Sequence, residues 1–504
     1  LPAPIGGLNA RDSITEMPPG DAVSLENWFP TTTSVQVRYG YTAWNTFTGT
    51  CQTIMVYNGL TAKKIYPCVK NGGTFSIYDG TSAGALSSAV VGGGGATVEA
   101  LTNTRFDYIN YGTAGGQYLI AVNGSDNPLQ FDGTTWTVSG LTGGTPANYQ
   151  TIGIYSNRIF VIEKNSFVVR YWGAGLISGV SATALNLASL FKLGGHLMAI
   201  ASVTDDGGGL VDYVAFISSE GEVICYTGTD PAGTPPWTIA AHFRIGRPVI
   251  MGNRTWCKWG TDALVLCTDG VYPLRKAIAA DRKVEGLSVS DKIRNLINAD
   301  IGLYGSKYGW QVFIHPSGNK LIVNVPTAED SASYQYVMNT QTGAWTKFTG
   351  WTAFTFEVAQ DTLYMGGSGT MVKADTTAAD GSTNITCQAR QANNYFGNRG
   401  RAKHMKLLRP VITTDRTYHL AIGCDTDYKN VDPGVYRQVN SGNSDPWQGL
   451  WSVAWSGSQV VSLNWYGVTG IGHAISPRLN VQNDGATLQW SATDVVFETG
   501  GVVA

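Results

Sequence analysis

Between residues 51 and 375 one short unit returns with variation. It is an alternating strand, a Glu-Gly, Asp-Gly or Asn-Gly-like turn and a second alternating strand, often closed by a Trp. The unit is legible at 53–78, 117–136, 157–172, 214–237, 263–274, 310–345 and 363–375. Such turn dipeptides supply the positive φ that tight hairpins require, and period-two alternation gives each strand one buried face. An isolated hairpin is marginal in water, so the units must pack on each other. Their recurrence at roughly 35–60 residues is that of propeller blades, where radial packing hides nearly every strand edge. The expected fold class is all-β, a β-propeller-like platform of about six blades, with five to seven compatible with the loose match between copies.

The flanks read differently. Residues 1–50 form an N-terminal extended arm, broken by Pro2, Pro4, Pro18 and Pro19 and studded with Trp28, Phe29, Tyr39 and Tyr41 as anchors. A proline-broken segment with that many large apolar groups must lie along another surface, in its own subunit or on a neighbour. A Thr/Ala/Gly/Ser-rich stretch then opens the region 376–504. Alternation at 406–412 and 487–490, around a stretch with Trp447, Trp451, Trp455 and Trp465, predicts a second small β-sandwich or barrel domain. That region is a possible fibre-docking or subunit-contact module.

Two helices are expected as inserts in 51–375. One spans 181–193, with Leu185, Leu187, Leu190 and Phe191 and a Gly194-Gly195 stop. The other spans 290–298, with Ser290 as N-cap and Ile293, Leu296 and Ile297 on one face. Glycine runs at 92–95 and 207–209 read as loop tips.

Only 14% of residues are charged, against roughly 25% in an average soluble chain, and 62 of 504 are Gly. A chain of short strands and tight turns with much of its surface covered, as in a large homo-oligomer, fits those values. The formal net charge of −2 steers the whole molecule towards neither nucleic acid nor an anionic membrane. No run approaches the ~20 apolar residues of a transmembrane helix, so no membrane segment is expected. Leu1-Pro-Ala-Pro-Ile lacks the basic and apolar parts of a signal peptide. The seven cysteines contain no C-x-x-C pair and read as reduced, mostly buried small hydrophobes.

Legible catalytic constellations are missing. There is no G-x-S-x-G elbow, and the four-glycine run lacks the Lys-Ser/Thr of a phosphate loop. The six histidines (196, 242, 315, 404, 419, 473) are isolated, with no pair at metal-ligand spacing. Asp205-Asp206 and Asp425-x-Asp427 read as solvated loop acids, the second lacking the Gly and terminal Glu of a calcium loop. The expectation is a chain without enzymatic activity, cofactor or metal. One charge cluster stands out: Arg399, Arg401, Lys403, Lys406 and Arg409, at the entrance of a predicted strand. Its plain reading is a solvated strand face or a set of inter-subunit salt bridges. Its sharper reading is a basic band lining a channel in a symmetric oligomer.

Three stretches, taken together in order and spacing, resemble the nozzle proteins of short-tailed bacteriophages, the tail tubular protein B-like family. The first is Gly7-Leu-Asn-Ala-Arg-Asp-Ser-Ile with Met17-Pro-Pro-Gly-Asp-Ala-Val-Ser-Leu-Glu-Asn-Trp-Phe-Pro30 and Val37-Arg-Tyr-Gly-Tyr41. The second is Ile217-Ser-Ser-Glu-Gly-Glu-Val-Ile-Cys-Tyr-Thr-Gly-Thr-Asp-Pro231 with Phe243-Arg-Ile-Gly-Arg-Pro248, and the third Leu266-Cys-Thr-Asp-Gly-Val-Tyr-Pro-Leu274. The resemblance implies a six-bladed propeller-like platform, a homohexamer at the distal tip of the virion tail, and a central channel through which double-stranded DNA leaves. It also implies a tail adaptor ring above, fibres or spikes at the side, assembly in the host cytoplasm, and no catalytic residues to carry over. Two other readings stand beside it: a propeller-type glycan- or receptor-binding protein, against which the divergence of the units counts, and a glycan-cleaving propeller enzyme, against which the missing Asp-box turns count.

Overall fold

The computed structural model describes residues 1–93, 98–182, 184–205, 211–250, 252–279, 287–440 and 460–502. Among these residues the chain is nearly all β, and no helix is long and apolar enough to cross a membrane.

Seven small antiparallel sheets follow one another around a ring, and each hairpin read from the sequence falls in a different one. The second blade is Asp107–Thr113, Gly116–Val122, Leu129–Phe131 and Trp136–Val138; the third is Tyr149–Tyr155, Arg158–Glu163, Val168–Tyr171 and Leu185–Asn186. The fourth runs from Leu197–Asp205 to Thr238–Arg244, the three-stranded fifth from Trp256–Trp259 to Gly270–Pro273, and the sixth from Gln311–His315 to Trp345–Phe348. The seventh holds Thr355–Ala359, Thr362–Gly366 and Ser368–Ala374. The count is thus the upper end of the expected five to seven, one more than the family resemblance implies.

The ring closes through one strand shared by two blades. In Tyr41–Asn58 the first half pairs with Ser368–Ala374 as the fourth strand of the seventh blade. Its second half pairs with Lys63–Asn71 as the first strand of the first blade. Gly49 lies where the strand changes partners. Its φ is +111°, and a Cβ there would meet the Lys70 carbonyl oxygen at 2.3 Å, so only glycine fits. An apolar cluster fills each gap between neighbours; the one between the fifth and sixth blades runs on into the sandwich core, and in the one between the seventh and first Ile54 and Val69 meet Tyr364 and Met371. The Trp that closes several units now has a reason. Trp136, Trp172 and Trp237 pack into these gaps, against the neighbouring blade.

The second domain is a β-sandwich built from both ends of the chain. One sheet orders Asp21–Glu26, Thr386–Gln391, Ile475–Gln482, Tyr418–Thr426 and Arg437–Val439. The other orders Trp28–Pro30, Val35–Val37, Leu488–Val502 and Arg401–Thr414, with Val460–Ser462 and Tyr466–Gly472 along its far side. Trp28, Ile412, Tyr418, Leu479 and Trp490 are buried between them, Trp28 and Trp490 with ring centroids 5.7 Å apart. The propeller is therefore an insertion in the sandwich, between Val35–Val37 and Thr386–Gln391. Asp21–Glu26 also touches the outer strand of the sixth blade, Glu26 opposite Lys347, which fixes the sandwich to that side of the ring.

The helix expected at 290–298 is present as a 3-10 turn Asp291–Ile293 and an α-helix Arg294–Tyr304, with Ile293 and Ile297 fully buried. The Ser290 hydroxyl does not cap it; it accepts the amide of Val271 instead (2.9 Å). At 181–193 the structure corrects the expectation of a helix. Leu185–Asn186 is an edge strand paired with Val168–Tyr171, and Leu187 and Phe191 turn into the gap between the third and fourth blades. Apolar spacing alone did not separate a helix face from a short edge strand followed by a turn. The glycine run 207–209, Asp206, and Trp447, Trp451 and Trp455 lie outside the described residues.

Candidate functional site

Two gatherings of charged and polar groups bear on function, one along the sandwich strand Arg401–Thr414 and one on the axis of the ring.

On the strand, four of the five clustered cations have partners within the subunit. Arg399 meets Glu16 at 2.7 Å on the surface and lies over the Tyr395 ring, 4.3 Å from its centroid. Lys403 is fully buried and donates to the carbonyl oxygens of Asn398 and His473 (2.9 Å to the latter). Its burial pulls the ammonium pKa below the ordinary lysine value. Lys406 pairs with Glu498 at 3.2 Å. Arg409 pairs with Asp494 at 2.5 Å and covers the Trp465 ring. Arg401 is exposed and makes no ion pair among the described residues. Carboxylates thus interleave with the cations, and the strand presents a mixed rather than a uniformly basic face. Exposed pairs of this kind contribute ~0–1 kcal/mol each.

The arm anchors divide between two cores. Trp28 faces the sandwich, while the next residue, Phe29, faces the gap between the sixth and seventh blades and meets Phe348 edge-on at 6.2 Å. Tyr41 packs at the margin of that second core, and Tyr39 is exposed. Asp425, expected in a solvated loop, is instead a fully buried strand residue paired with Arg390 at 2.7 Å. Asp427 holds the amides of His473 (2.7 Å) and Ala474 (3.0 Å). Both acids therefore have structural work that a two-residue spacing did not reveal.

The axis carries groups that no linear motif announced. The Arg254 guanidinium, in the 3-10 turn Gly252–Arg254 before the fifth blade, donates to the carbonyls of Trp310 (3.1 Å), Gln52 (3.2 Å) and Phe354 (2.5 Å). It also lies over the Tyr308 ring, 4.6 Å from its centroid. One cation thereby ties the fifth blade to the backbone approaches of the sixth, first and seventh. The Gln311 amide donates to Phe356 O (3.0 Å) and accepts from Phe356 N (2.9 Å), pairing the inner strands of the sixth and seventh blades. Beside them lies a cavity of about 350 Å³. At its wall the Tyr108 hydroxyl of the second blade donates to the Glu357 carboxylate of the seventh. Burial pushes Glu357 up to about 7, so it exchanges a proton near neutrality. The one available signal was a lone carboxylate in the otherwise uncharged strand Thr355–Ala359.

Neither a family model nor a curated protein matches the chain. Among solved structures, Chaetomium thermophilum Raptor aligns with a TM-score of 0.39 and 10% identity over 67% of this chain, which spans only 29% of the Raptor chain. A glycoside hydrolase family 43 arabinoxylan arabinofuranohydrolase from Bacillus subtilis aligns with a TM-score of 0.28 and 10% identity, over 90% of this chain and 96% of that one. Alignments this loose say nothing about chemistry. The propeller-like description rests on the strand pairings themselves.

Proposed function

We propose that this chain is a structural subunit of a short phage tail, the distal nozzle, assembled as a ring of about six copies through which the genome leaves and to which fibres attach. The observation that carries the reading is the order and spacing of the three stretches that resemble nozzle proteins. Their places in the fold support it. Val37-Arg-Tyr-Gly-Tyr41 is the passage from sandwich to propeller, residues 217–231 hold the central hairpin of the fourth blade, and residues 266–274 hold the last hairpin of the fifth. A motif set that specifies a domain junction and two blades belongs to an architecture rather than to a catalytic centre. In this reading the propeller's own axis is not the conduit. A cavity of about 350 Å³ suits a small molecule and not a DNA duplex, so the genome path runs on the symmetry axis of the assembled ring. The adaptor ring would sit above and the fibres at the side, and the chain itself would perform no reaction.

Light scattering combined with negative-stain imaging of the purified chain tests this. A closed ring of about six copies is the expected result; a stable monomer at tens of micromolar overturns it.

A further inference from the structure

Among the described residues, two patches of this subunit each hold several exposed large apolar side chains, while others such as Leu60, Leu303 and Val435 lie outside them. The first is the outer face of the sandwich sheet that contains Arg401–Thr414. Residues directly opposite one another in neighbouring strands share a face. Ile471, His404 and Glu498 form one such row, and Leu407 and Val496 another, while Met405 between them and Leu408 just beyond point inward and are fully buried. Val461 opposes Thr413 further along. Ile471 is 65% exposed, Val461 47%, Trp465 42% and Val496 41%, too much apolar surface for one sheet face to leave in water. Two charge pairs on this face neutralise each other, Lys406 with Glu498 and Arg409 with Asp494, which leaves Arg401 at the strand's start as the exposed cation of the cluster without an ion pair among the described residues.

The second patch is the rim of the second and third blades, where Val180 is 78% exposed, Leu176 51% and Val138 42%. The segments that carry these residues, 133–148 and 171–191, contain no charged residue, and Arg170, which reaches Ser181 beside them, is paired with Glu163. The two patches also lie on opposite sides of the subunit. The sandwich is fixed to the sixth blade, and in a ring of seven the second and third blades are each three steps away from it.

A subunit with two apolar patches at opposite ends is built for head-to-tail contact, which closes into a ring when the rotation permits. We propose that the sandwich face around Ile471, Trp465 and Val496 of one copy docks on the blade rim around Val138, Leu176 and Val180 of the next copy. The inference rests on the ring reading above and specifies which surfaces make the ring.

Because the two surfaces differ, the contact can be broken from either side and partly restored by mixing. Ile471→Glu and Val180→Glu each place a charge at an exposed position, and circular dichroism verifies that both chains fold. Each variant alone should sediment as a monomer, since every contact in its ring has one damaged side. An equimolar mixture should give 1:1 heterodimers and stop there. Leu60→Glu, at an 88% exposed position of the first blade, should leave the ring unchanged. Wild-type rings that survive both substitutions overturn this contact while leaving the nozzle reading standing. Rings broken by Ile471→Glu but not by Val180→Glu overturn the head-to-tail pairing. A wild-type monomer overturns the ring and this contact together.

Discussion

Arg38 and Asp380 meet at 2.6 Å where the propeller joins the sandwich, although 342 residues separate them in the chain. The guanidinium is almost fully buried. It also donates to Asn27 Oδ1 (2.8 Å) and to the carbonyls of Tyr39 (3.1 Å) and Thr349, and lies 5.5 Å from the Trp351 ring centroid. Every part of the fork has a partner, so the cation is held by geometry that only arginine can match. The clasp ties the segment leaving the sandwich to the segment returning to it.

Removing one side of such a pair strands the other charge in the interior. Arg38→Met and Asp380→Asn are each expected to destabilise the chain by about 3–5 kcal/mol. Coupling should make the double variant much less than the sum of the singles. Urea denaturation of the three variants measures both; independent, additive losses would show that the two residues do not act as a unit.

Lys403 and Arg401 sit two positions apart on one strand with opposite fates. Lys403→Ala leaves the carbonyls of Asn398 and His473 without their buried donor, for a loss of about 2–3 kcal/mol. Arg401→Ala removes an exposed side chain and should change stability by less than about 0.5 kcal/mol. Thermal denaturation ranks them directly. Equal melting temperatures would mean that Lys403 has found water or another acceptor.

The architecture was readable from the sequence because it depends on local chemistry. Turn dipeptides and period-two alternation placed a hairpin in each of the seven blades, since each hairpin writes its own signal in consecutive residues. What stayed hidden depends on long-range closure. Tyr41–Asn58 looks like one long strand, and nothing in it shows that its halves belong to different blades. Trp28 and Phe29 announce an apolar segment but not that they face two separate cores. The basic cluster looked uniform because its neutralising carboxylates, Glu16, Asp494 and Glu498, lie far from it in the chain. Arg254 and Glu357 were silent for the same reason, being single polar residues whose partners come from other blades.

Arg254 binds three backbone carbonyls from three other parts of the ring, and burial lowers its pKa from the ordinary arginine value. Arg254→Met keeps much of the side-chain volume and frees those carbonyls. The expected loss is about 3 kcal/mol or more. Hydrogen exchange should localise it, with protection falling first in the inner strands of the first, sixth and seventh blades. Uniform loss of protection across the chain would argue against a pin at the axis.

Glu357 makes the stability of the ring depend on pH in a direction opposite to that of most carboxylates. Burial raises it from 4.5 to about 7, so between those values the folded chain holds a proton that the unfolded chain releases. Stability therefore falls as pH rises through that window, and the penalty is complete above about pH 7. The full shift corresponds to at most about 3 kcal/mol, and because the side chain lines a cavity that water can enter, about 1–2 kcal/mol is the expected size. Glu357→Gln preserves an oxygen to accept the Tyr108 hydroxyl and removes the charge. It should be more stable than the wild type by that amount near pH 8 and level with it near pH 4, where the wild-type carboxyl is protonated in both states. Denaturant midpoints across this range give the comparison, and a Glu357→Gln advantage that does not grow with pH would show that the carboxylate is well solvated in the folded ring.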